Sequence, residues 1–249
     1  MPANSLPSKV GVIIFPGFHL LDYAGPLDAL NILSTDHSLT LCTIAATLDP
    51  VPTQNSLQDK QGSQFSQSII PTHTFDNAPD DLEVLLLPGG LGSRGPESDK
   101  WMKPQVEYLK RLDLSGKGSV KWVLTVCTGS EILARTGLLD GRRATTNKRA
   151  FGDVSEPTCH LLSSLRTRYS LFGKVKAKHP NVEWVAKARW VVDGNIWTSS
   201  GISAGIDVTF AWIAEVFGEE TAQYVADRSE YERNVDAGND RFAERWGTV

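Results

Sequence analysis

Four short apolar runs, most of them followed by a helical pattern, limit the folds open to this chain. They cover residues 9–15, 39–46, 82–87 and 119–126. Runs of this length rich in β-branched residues are typical of buried strands. Strands that alternate with helices favour a mainly parallel sheet with helices on both faces. The predicted fold class is therefore α/β.

The remaining pattern supports one domain over residues 1–249, with its core at about 9–232. The predicted helices lie at 26–33, starting with Pro26 at a first helical position, and at 101–112, 160–172, 204–216 and 219–232. A turn and short strand are predicted at 137–147, a strand at 182–186, and a hairpin at 190–199 around Asp193-Gly194. The polar stretch 47–67 is predicted to be an excursion with weak hairpin content.

Composition excludes several functional classes. The net charge is −4 with both signs mixed along the chain, so neither a nucleic-acid nor a membrane partner is expected. The three cysteines have no C-x-x-C spacing and the five histidines are scattered, so neither a disulfide framework nor a metal site is predicted. No signal peptide or membrane span is recognised. A cytoplasmic protein with reduced thiols is expected.

The segment VLTVCTGSEILA, residues 123–134, places Cys127 at a strand-to-helix corner. Such a corner lies at the carboxyl edge of a parallel sheet, where ligands bind. The helix that follows is expected to lower the pKa of the thiol and so favour the nucleophilic thiolate. Gly129 leaves room for a tight elbow, and the Thr128 N–H can stabilise developing negative charge. Cys42 and Cys159 are predicted to be inert.

The loops that leave neighbouring strands at the same edge supply the other candidates. The loop after the first strand contains His19 and Asp22, and the loop after the third offers backbone donors near Gly90 and Leu91. Apolar neighbours of Asp22 are expected to raise its pKa, which suits general acid–base catalysis. A purely structural role as a helix-capping acid ahead of the proline remains open.

Two familiar patterns are set aside. The G-x-G-x-x-G match at 90–95 lacks the direct continuation into a helix that dinucleotide binding requires. The G-x-S-x-G match at 201–205 lacks a later histidine, which a hydrolase triad in the usual order would need. Ser203 is therefore predicted to be a helix N-cap.

Four motifs together resemble the DJ-1/PfpI superfamily, related to class I glutamine amidotransferases. They are GVIIFPGFHLLDYAGPLDAL at 11–30, LLLPGG at 85–90, VCTGSEILARTGLLDGRRATTN at 126–147 and TSSGISAGIDVTFAWIAEVFGEETAQYVADRSEYE at 198–232. The D-x-x-G-P at 22–26 and the Cys-Thr-Gly at 127–129 look most like the isonitrile hydratase group. The resemblance implies a flavodoxin-like three-layer sandwich, a homodimer, and a strained nucleophile elbow at the cysteine.

The differences from other branches concern the site. PfpI-type members carry a histidine directly after the cysteine, where this chain has Thr128. Deglycase and glyoxalase relatives use a glutamate on the first loop, where this chain has Asp22. Many hydratase-like relatives carry Thr-Thr-His-Trp after the elbow helix, whereas residues 145–148 here are Thr-Thr-Asn-Lys. Asn147 is therefore a possible pocket residue that cannot take up a proton, and His19 and Tyr23 are further pocket candidates.

The resemblance implies hydration of an isonitrile without metal or cofactor. Cys127 would attack the terminal carbon of this small electrophile, Asp22 would act as acid and then as base, and a thioimidate would give an N-substituted formamide. Two alternatives stay open. One is another cysteine enzyme on the same scaffold, such as a glyoxalase-type hydratase of 2-oxoaldehydes or a biosynthetic tailoring enzyme. The other is a non-enzymatic thiol or redox sensor.

Overall fold

The computed structural model describes residues 6–95, 97–151 and 175–249. Its strands are β1 (Lys9–Ile13), β2 (Thr40–Ala45), β3 (Val51–Pro52), β4 (Ser68–Ile69), β5 (His73–Thr74), β6 (Val84–Leu87), β7 (Trp122–Thr125), β8 (Arg143–Ala144), β9 (Glu183–Trp184), β10 (Trp190–Asp193) and β11 (Ile196–Ser199). Its α-helices are α1 (Leu20–Leu33), α2 (Ser56–Gln61), α3 (Ser98–Trp101), α4 (Lys103–Arg111), α5 (Gly129–Ala134), α6 (Lys148–Phe151), α7 (Val175–Lys178), α8 (Ser203–Phe217), α9 (Glu219–Arg228) and α10 (Arg241–Arg245).

The main sheet has the order β10-β11-β7-β6-β1-β2-β5 within the described residues. All neighbouring pairs in it are parallel except the β10–β11 hairpin. The predicted α/β class and mainly parallel sheet are confirmed. The order places the carboxyl ends of β7, β6 and β1 side by side, so the loops that follow these three strands meet at one edge.

Helices cover both faces of this sheet, as a flavodoxin-like sandwich requires. Helices α1, α8 and α9 pack against one another, while α4 packs against α5. The central strands β6 and β7 are almost entirely apolar and buried, which is typical of strands covered on both faces. The apolar core therefore fixes the positions of the strand ends from which the candidate site is built.

The first helix begins six residues earlier than predicted. Helix α1 starts at Leu20, and Pro26 lies inside it rather than at its first position. The chain is anchored just before the helix, because Phe18 pairs with Gly90 and the His19 N–H donates to the Gly89 carbonyl at 2.8 Å. A tertiary contact of this kind overrides the local preference of proline, and its consequence is that Asp22 lies in the first turn of the helix.

Other predicted elements differ in detail. The helix expected at 101–112 is divided into α3 and α4, and the stretch 47–67 contains α2 beside the short β3–β4 hairpin. Ser203 is the first residue of α8 rather than its N-cap, because Ile202 occupies the cap with φ 26° and no side-chain cap bond. The Ser203 hydroxyl instead accepts from Arg189 at 3.3 Å. The predicted helix at 160–172 and Cys159 lie outside the described residues.

Candidate active site

Cys127 lies on the sharp turn between β7 and α5, at the carboxyl edge of the sheet. Its φ of 57° is in the left-handed region, which residues other than glycine seldom adopt. The surroundings hold this backbone in place, because the Cys127 N–H donates to Ser200 O at 2.9 Å. Its carbonyl accepts from Ser130 Oγ at 3.1 Å and from Thr146 Oγ1 at 3.0 Å. The residue therefore occupies a strained elbow, of the kind found at functional sites.

Gly129 allows this elbow to pack against the neighbouring strand. A Cβ atom at this position would lie 2.0 Å from the carbonyl oxygen of Leu87, the last residue of β6. That separation is far below van der Waals contact, so no larger residue fits without a backbone shift. The glycine acts by close packing, which brings the turn after β6 next to the cysteine.

Asp22 is fully buried beside that turn. Its Oδ2 accepts a hydrogen bond from the Gly89 N–H at 3.0 Å. The other oxygen, Oδ1, has no hydrogen bond of normal geometry within the described structure. The carboxyl and the Cys127 thiol are close enough for each to perturb the pKa of the other. The geometry therefore brings together the two residues that the sequence places in separate loops.

Burial dominates the protonation of Asp22. It raises the pKa of this carboxyl from 3.8 to about 7, although the hydrogen bond from Gly89 and the neighbouring Cys127 thiol oppose the rise. A carboxyl with a pKa near neutrality can both accept and donate a proton at neutral pH. This agrees with the prediction that the apolar neighbours of Asp22 raise its pKa.

The pKa of Cys127 changes in the direction opposite to our expectation. Burial and the nearby Asp22 carboxylate raise it above its usual range, and these effects outweigh those of the Thr128 backbone and of the Arg94 charge, which lower it. The prediction of a lowered pKa is wrong because the thiol is buried and lies beside the Asp22 carboxylate. At neutral pH the thiol is the resting form, and the carboxylate beside it can accept its proton.

Thr128 contributes its backbone and its side chain to different contacts. Its backbone N–H lowers the pKa of the Cys127 thiol, which favours negative charge on the sulfur. Its hydroxyl oxygen accepts from the Gly90 N–H at 3.1 Å. That N–H, expected from the sequence to face substrate, is therefore already donated within the protein. The Leu91 N–H follows it, at the start of a short 3₁₀ turn, and remains the donor candidate from this loop.

Asn147 and Arg94 complete the surroundings of the sulfur. The Asn147 side chain lies near enough to the Cys127 sulfur to lower the pKa of the thiol. Arg94 favours charge on the sulfur, and sequence reasoning did not select it. The available signal was its position in the loop after β6, six residues beyond Pro88. The positive charge of Arg94 lowers the pKa of the Cys127 thiol and so opposes the effect of the Asp22 carboxylate.

The other two pocket candidates, His19 and Tyr23, are not among the groups that change the pKa of the Cys127 thiol. His19 lies at the surface, but protein atoms packed around its imidazole still lower its pKa by desolvation. Its backbone N–H anchors the loop. The Tyr23 hydroxyl lies 3.3 Å from Thr43 Oγ1. The same tyrosine lines a surface cleft of about 480 Å³ with Ile206 and Phe210. The described contacts of Tyr23, which lies in α1, are therefore with Thr43 of β2 and with the residues of this cleft.

No cluster of metal-ligating side chains occurs among the described residues. In the same part of the chain, no helix is long and apolar enough to cross a membrane. The arrangement consists of a neutral thiol, a buried carboxyl and nearby hydrogen-bond donors. Such a set can add a nucleophile to a small electrophile and move the accompanying proton.

Comparison with known proteins places this geometry in a family. A family model described as the DJ-1/PfpI family matches residues 8–215. The chain belongs to the DJ-1/PfpI family. Among curated proteins it is similar to an isonitrile hydratase from Pseudomonas putida, with 33% identity over 225 residues, 90% of this chain and 78% of that protein.

Two further relatives indicate the range of the family. A deglycase from Pyrococcus abyssi is 31% identical over 137 residues, 55% of this chain and 61% of the deglycase. The crystal structure of a THiJ/PfpI family protein from Pseudomonas syringae superposes with a TM-score of 0.61 at 25% identity, covering 93% of this chain and 79% of that one. The family and fold predicted from the sequence are both confirmed.

Proposed function

We propose that this protein is a cysteine-dependent hydratase that converts an isonitrile and water into an N-substituted formamide. The observation that carries the proposal is the buried pair formed by Asp22 and Cys127, which can hold one exchangeable proton near neutral pH. The similarity to an isonitrile hydratase supports the substrate class. A compact, uncharged electrophile also suits a site in which the thiol rests in its neutral form.

In the first step the Asp22 carboxylate removes the thiol proton as the Cys127 sulfur attacks the terminal carbon of R–NC. A carbon–sulfur bond forms, and Asp22 returns the proton to the same carbon. The product is the thioimidate Cys–S–CH=N–R, with no atom gained or lost. The Thr128 N–H stabilises negative charge on sulfur while the proton is on the carboxyl.

In the second step Asp22, again ionised, acts as base towards a water molecule that attacks the thioimidate carbon. The resulting tetrahedral adduct collapses by breaking the carbon–sulfur bond. One proton of the water ends on the formamide nitrogen and the other returns to sulfur. The same carboxyl thus serves twice, and general acid–base help of this kind contributes about 10² to 10⁴ in rate. Removal of the carboxyl is expected to affect both steps.

The decisive experiment is incubation of the purified protein with cyclohexyl isocyanide, with N-cyclohexylformamide followed by mass spectrometry. We expect turnover by the wild type, none by Cys127→Ala, and at least a hundredfold loss in Asp22→Asn. Cys42→Ala is the matched control, because this second cysteine is buried in β2. Absence of formamide from a folded wild type whose Cys127 still reacts with iodoacetamide would overturn the substrate assignment and keep the nucleophile.

A second candidate is a cysteine enzyme acting on 2-oxoaldehydes. Its support is the similarity to a deglycase over a little more than half of the chain. The same cysteine would attack an aldehyde carbon in this case, and the carboxyl would again move the proton. Methylglyoxal consumption that requires Cys127, in a preparation that ignores cyclohexyl isocyanide, would favour this candidate over the hydratase.

A further inference from the structure

A charged pair is buried beside the elbow and has no place in the mechanism above. Lys148 in α6 and Asp240, just before α10, form an ion pair at 3.5 Å, with side-chain exposures of 1% and 0%. Burial lowers the pKa of Lys148 to about 8, against the opposing charge of Asp240. A buried ion pair is often no more stabilising than an apolar replacement, so its presence calls for another explanation.

Lys148 contacts the segment that supports the elbow. Its Nζ donates to Thr145 Oγ1 at 2.5 Å and to the Thr146 carbonyl at 3.4 Å. The Thr146 hydroxyl in turn donates to the Cys127 carbonyl at 3.0 Å. A single ammonium group therefore fixes two consecutive residues, one of which holds the backbone of the cysteine.

The next residue along this segment is Asn147, whose amide has a defined orientation. Its Oδ1 accepts the Arg149 N–H at 3.0 Å, which leaves Nδ2 as the donor available to the Cys127 sulfur. On the opposite side the backbone of Gly201 approaches closely, since a Cβ there would lie 2.7 Å from Nδ2. The amide is thus held between two backbone segments, and small shifts of residues 145–148 would misdirect it.

Asp240 belongs to the C-terminal segment, residues 237–246, which packs against this part of the molecule. Its Oδ1 accepts the Phe242 N–H at 3.0 Å and so caps α10. In the same segment the Ala237 carbonyl accepts from the Arg189 N–H at 2.7 Å, and the Trp246 ring lies 5.4 Å below the Arg149 guanidinium. The ion pair is therefore the buried link between the C-terminal segment and the support of the elbow.

We propose that Asn147 is a catalytic hydrogen-bond donor to the Cys127 sulfur, and that Lys148 and Asp240 are the positioning residues that hold its amide in place. The inference rests on the proposed function for its effect on turnover, but its effect on thiol reactivity does not depend on the substrate. The donor acts on the charge that sulfur carries during attack and again when it leaves the tetrahedral adduct. A side chain that cannot take up a proton is suited to this task.

The test compares four proteins with the wild type. Asn147→Ala removes the donor. Asp240→Asn removes one charge and keeps an acceptor for the Phe242 N–H, while Lys148→Met combined with Asp240→Asn removes both charges and fills the space. Lys187→Met is the control, because Lys187 pairs with Glu244 of the same segment at 2.8 Å on the exposed surface. Each is measured for thermal stability, for the iodoacetamide reaction rate of Cys127, and for kcat and KM with cyclohexyl isocyanide.

We expect Asn147→Ala to slow alkylation about three- to tenfold, as loss of one hydrogen bond of typical strength predicts. The double variant is expected to regain the stability that Asp240→Asn loses while its alkylation rate stays as low as that of Asn147→Ala. Its kcat should fall with little change in KM, and Lys187→Met should match the wild type.

A purely structural ion pair would behave differently, because the double variant would then recover stability, alkylation rate and kcat together. That result, or unchanged alkylation in Asn147→Ala, overturns the inference. If neither the wild type nor any variant turns over isonitrile, the proposed function fails. The alkylation rates still decide whether Asn147, Lys148 and Asp240 act on the sulfur.

Discussion

Asp22 Oδ2 and the Gly89 N–H are joined by a 3.0 Å hydrogen bond between groups 67 residues apart in the sequence. This bond connects the first turn of α1 to the turn after β6, and it holds the carboxyl beside the Cys127 thiol on the turn after β7. The carboxyl is fully buried, and its pKa is raised to about 7. Both catalysis and stability are therefore expected to change with pH near neutrality.

The first prediction concerns the pH dependence of the reaction. Asp22 must be ionised to remove the thiol proton, so kcat/KM for cyclohexyl isocyanide should rise as pH increases through about 7 and then level off. Asp22→Asn should lack this rise and react slowly throughout. The measurement is kcat/KM between pH 5 and 9, with circular dichroism at each pH as the control for folding. A rise centred between pH 4 and 5 would contradict the assignment of a buried carboxyl.

The second prediction concerns the effect of the same carboxyl on the stability of the folded protein. Its pKa is raised from 3.8 to about 7 on folding, so the folded state binds the proton more tightly. The stabilisation of the folded state by this tighter proton binding is fully present below pH 4 and is lost as pH rises through 7. A change of this size corresponds to about 4 kcal/mol as an upper limit. Asp22→Asn should therefore be more stable than the wild type at pH 8, by roughly 2–4 kcal/mol, and nearly equal to it at pH 4.

Urea unfolding at the two pH values measures this difference. Asp28→Asn is the matched control, because Asp28 lies on the same helix with an exposed side chain. Its replacement should change the free energy of unfolding by less than about 0.5 kcal/mol at either pH. Equal stability of Asp22→Asn and wild type at pH 8 would show that the buried carboxylate is not costly.

Local sequence patterns predicted most of the fold. The apolar runs located β1, β2, β6 and β7, since a strand buried on both faces needs a continuous apolar sequence. The start of α1 was missed because it is fixed by the contacts of Phe18 and His19 with the turn after β6, which no local pattern encodes.

The arrangement of the candidate site depends on both topology and tertiary contacts. Parallel topology was enough to bring Cys127 and Asp22 to one edge, because it fixes which loops meet there. The predicted direction of the Cys127 pKa change was wrong. The pKa of this thiol depends on burial and on the nearby Asp22 carboxylate, which residue types alone do not reveal. The Lys148–Asp240 pair was missed for the same reason, because its partners are brought together only by the path of the C-terminal segment.

The third prediction tests the close approach of Gly201 to Asn147. A Cβ at this position would lie 2.7 Å from Asn147 Nδ2, the end of a side chain that can move aside. Gly201→Ala should therefore cost less than about 1 kcal/mol of stability. It should still slow alkylation of Cys127 about three- to tenfold, because the displaced amide no longer donates to the sulfur.

A double-mutant cycle separates this effect from a general disturbance. If Gly201→Ala acts through the amide, adding it to Asn147→Ala should leave the alkylation rate unchanged. Iodoacetamide kinetics on the two single variants and the double variant provide the comparison. Additive losses in the double variant would indicate that the alanine disturbs the elbow by another route.

The fourth prediction concerns the strained backbone at the elbow. Cys127 has φ 57°, a conformation that costs about 1–2 kcal/mol for a residue with a Cβ and little for glycine. Cys127→Gly should therefore be about 1 kcal/mol more stable than Cys127→Ala, although both lack the nucleophile. Ala134→Gly in α5 is the control, since the same exchange in right-handed helix should lose about 1 kcal/mol. Urea unfolding of the three variants measures these differences, and a Cys127→Ala protein as stable as Cys127→Gly would mean that the elbow stores no strain.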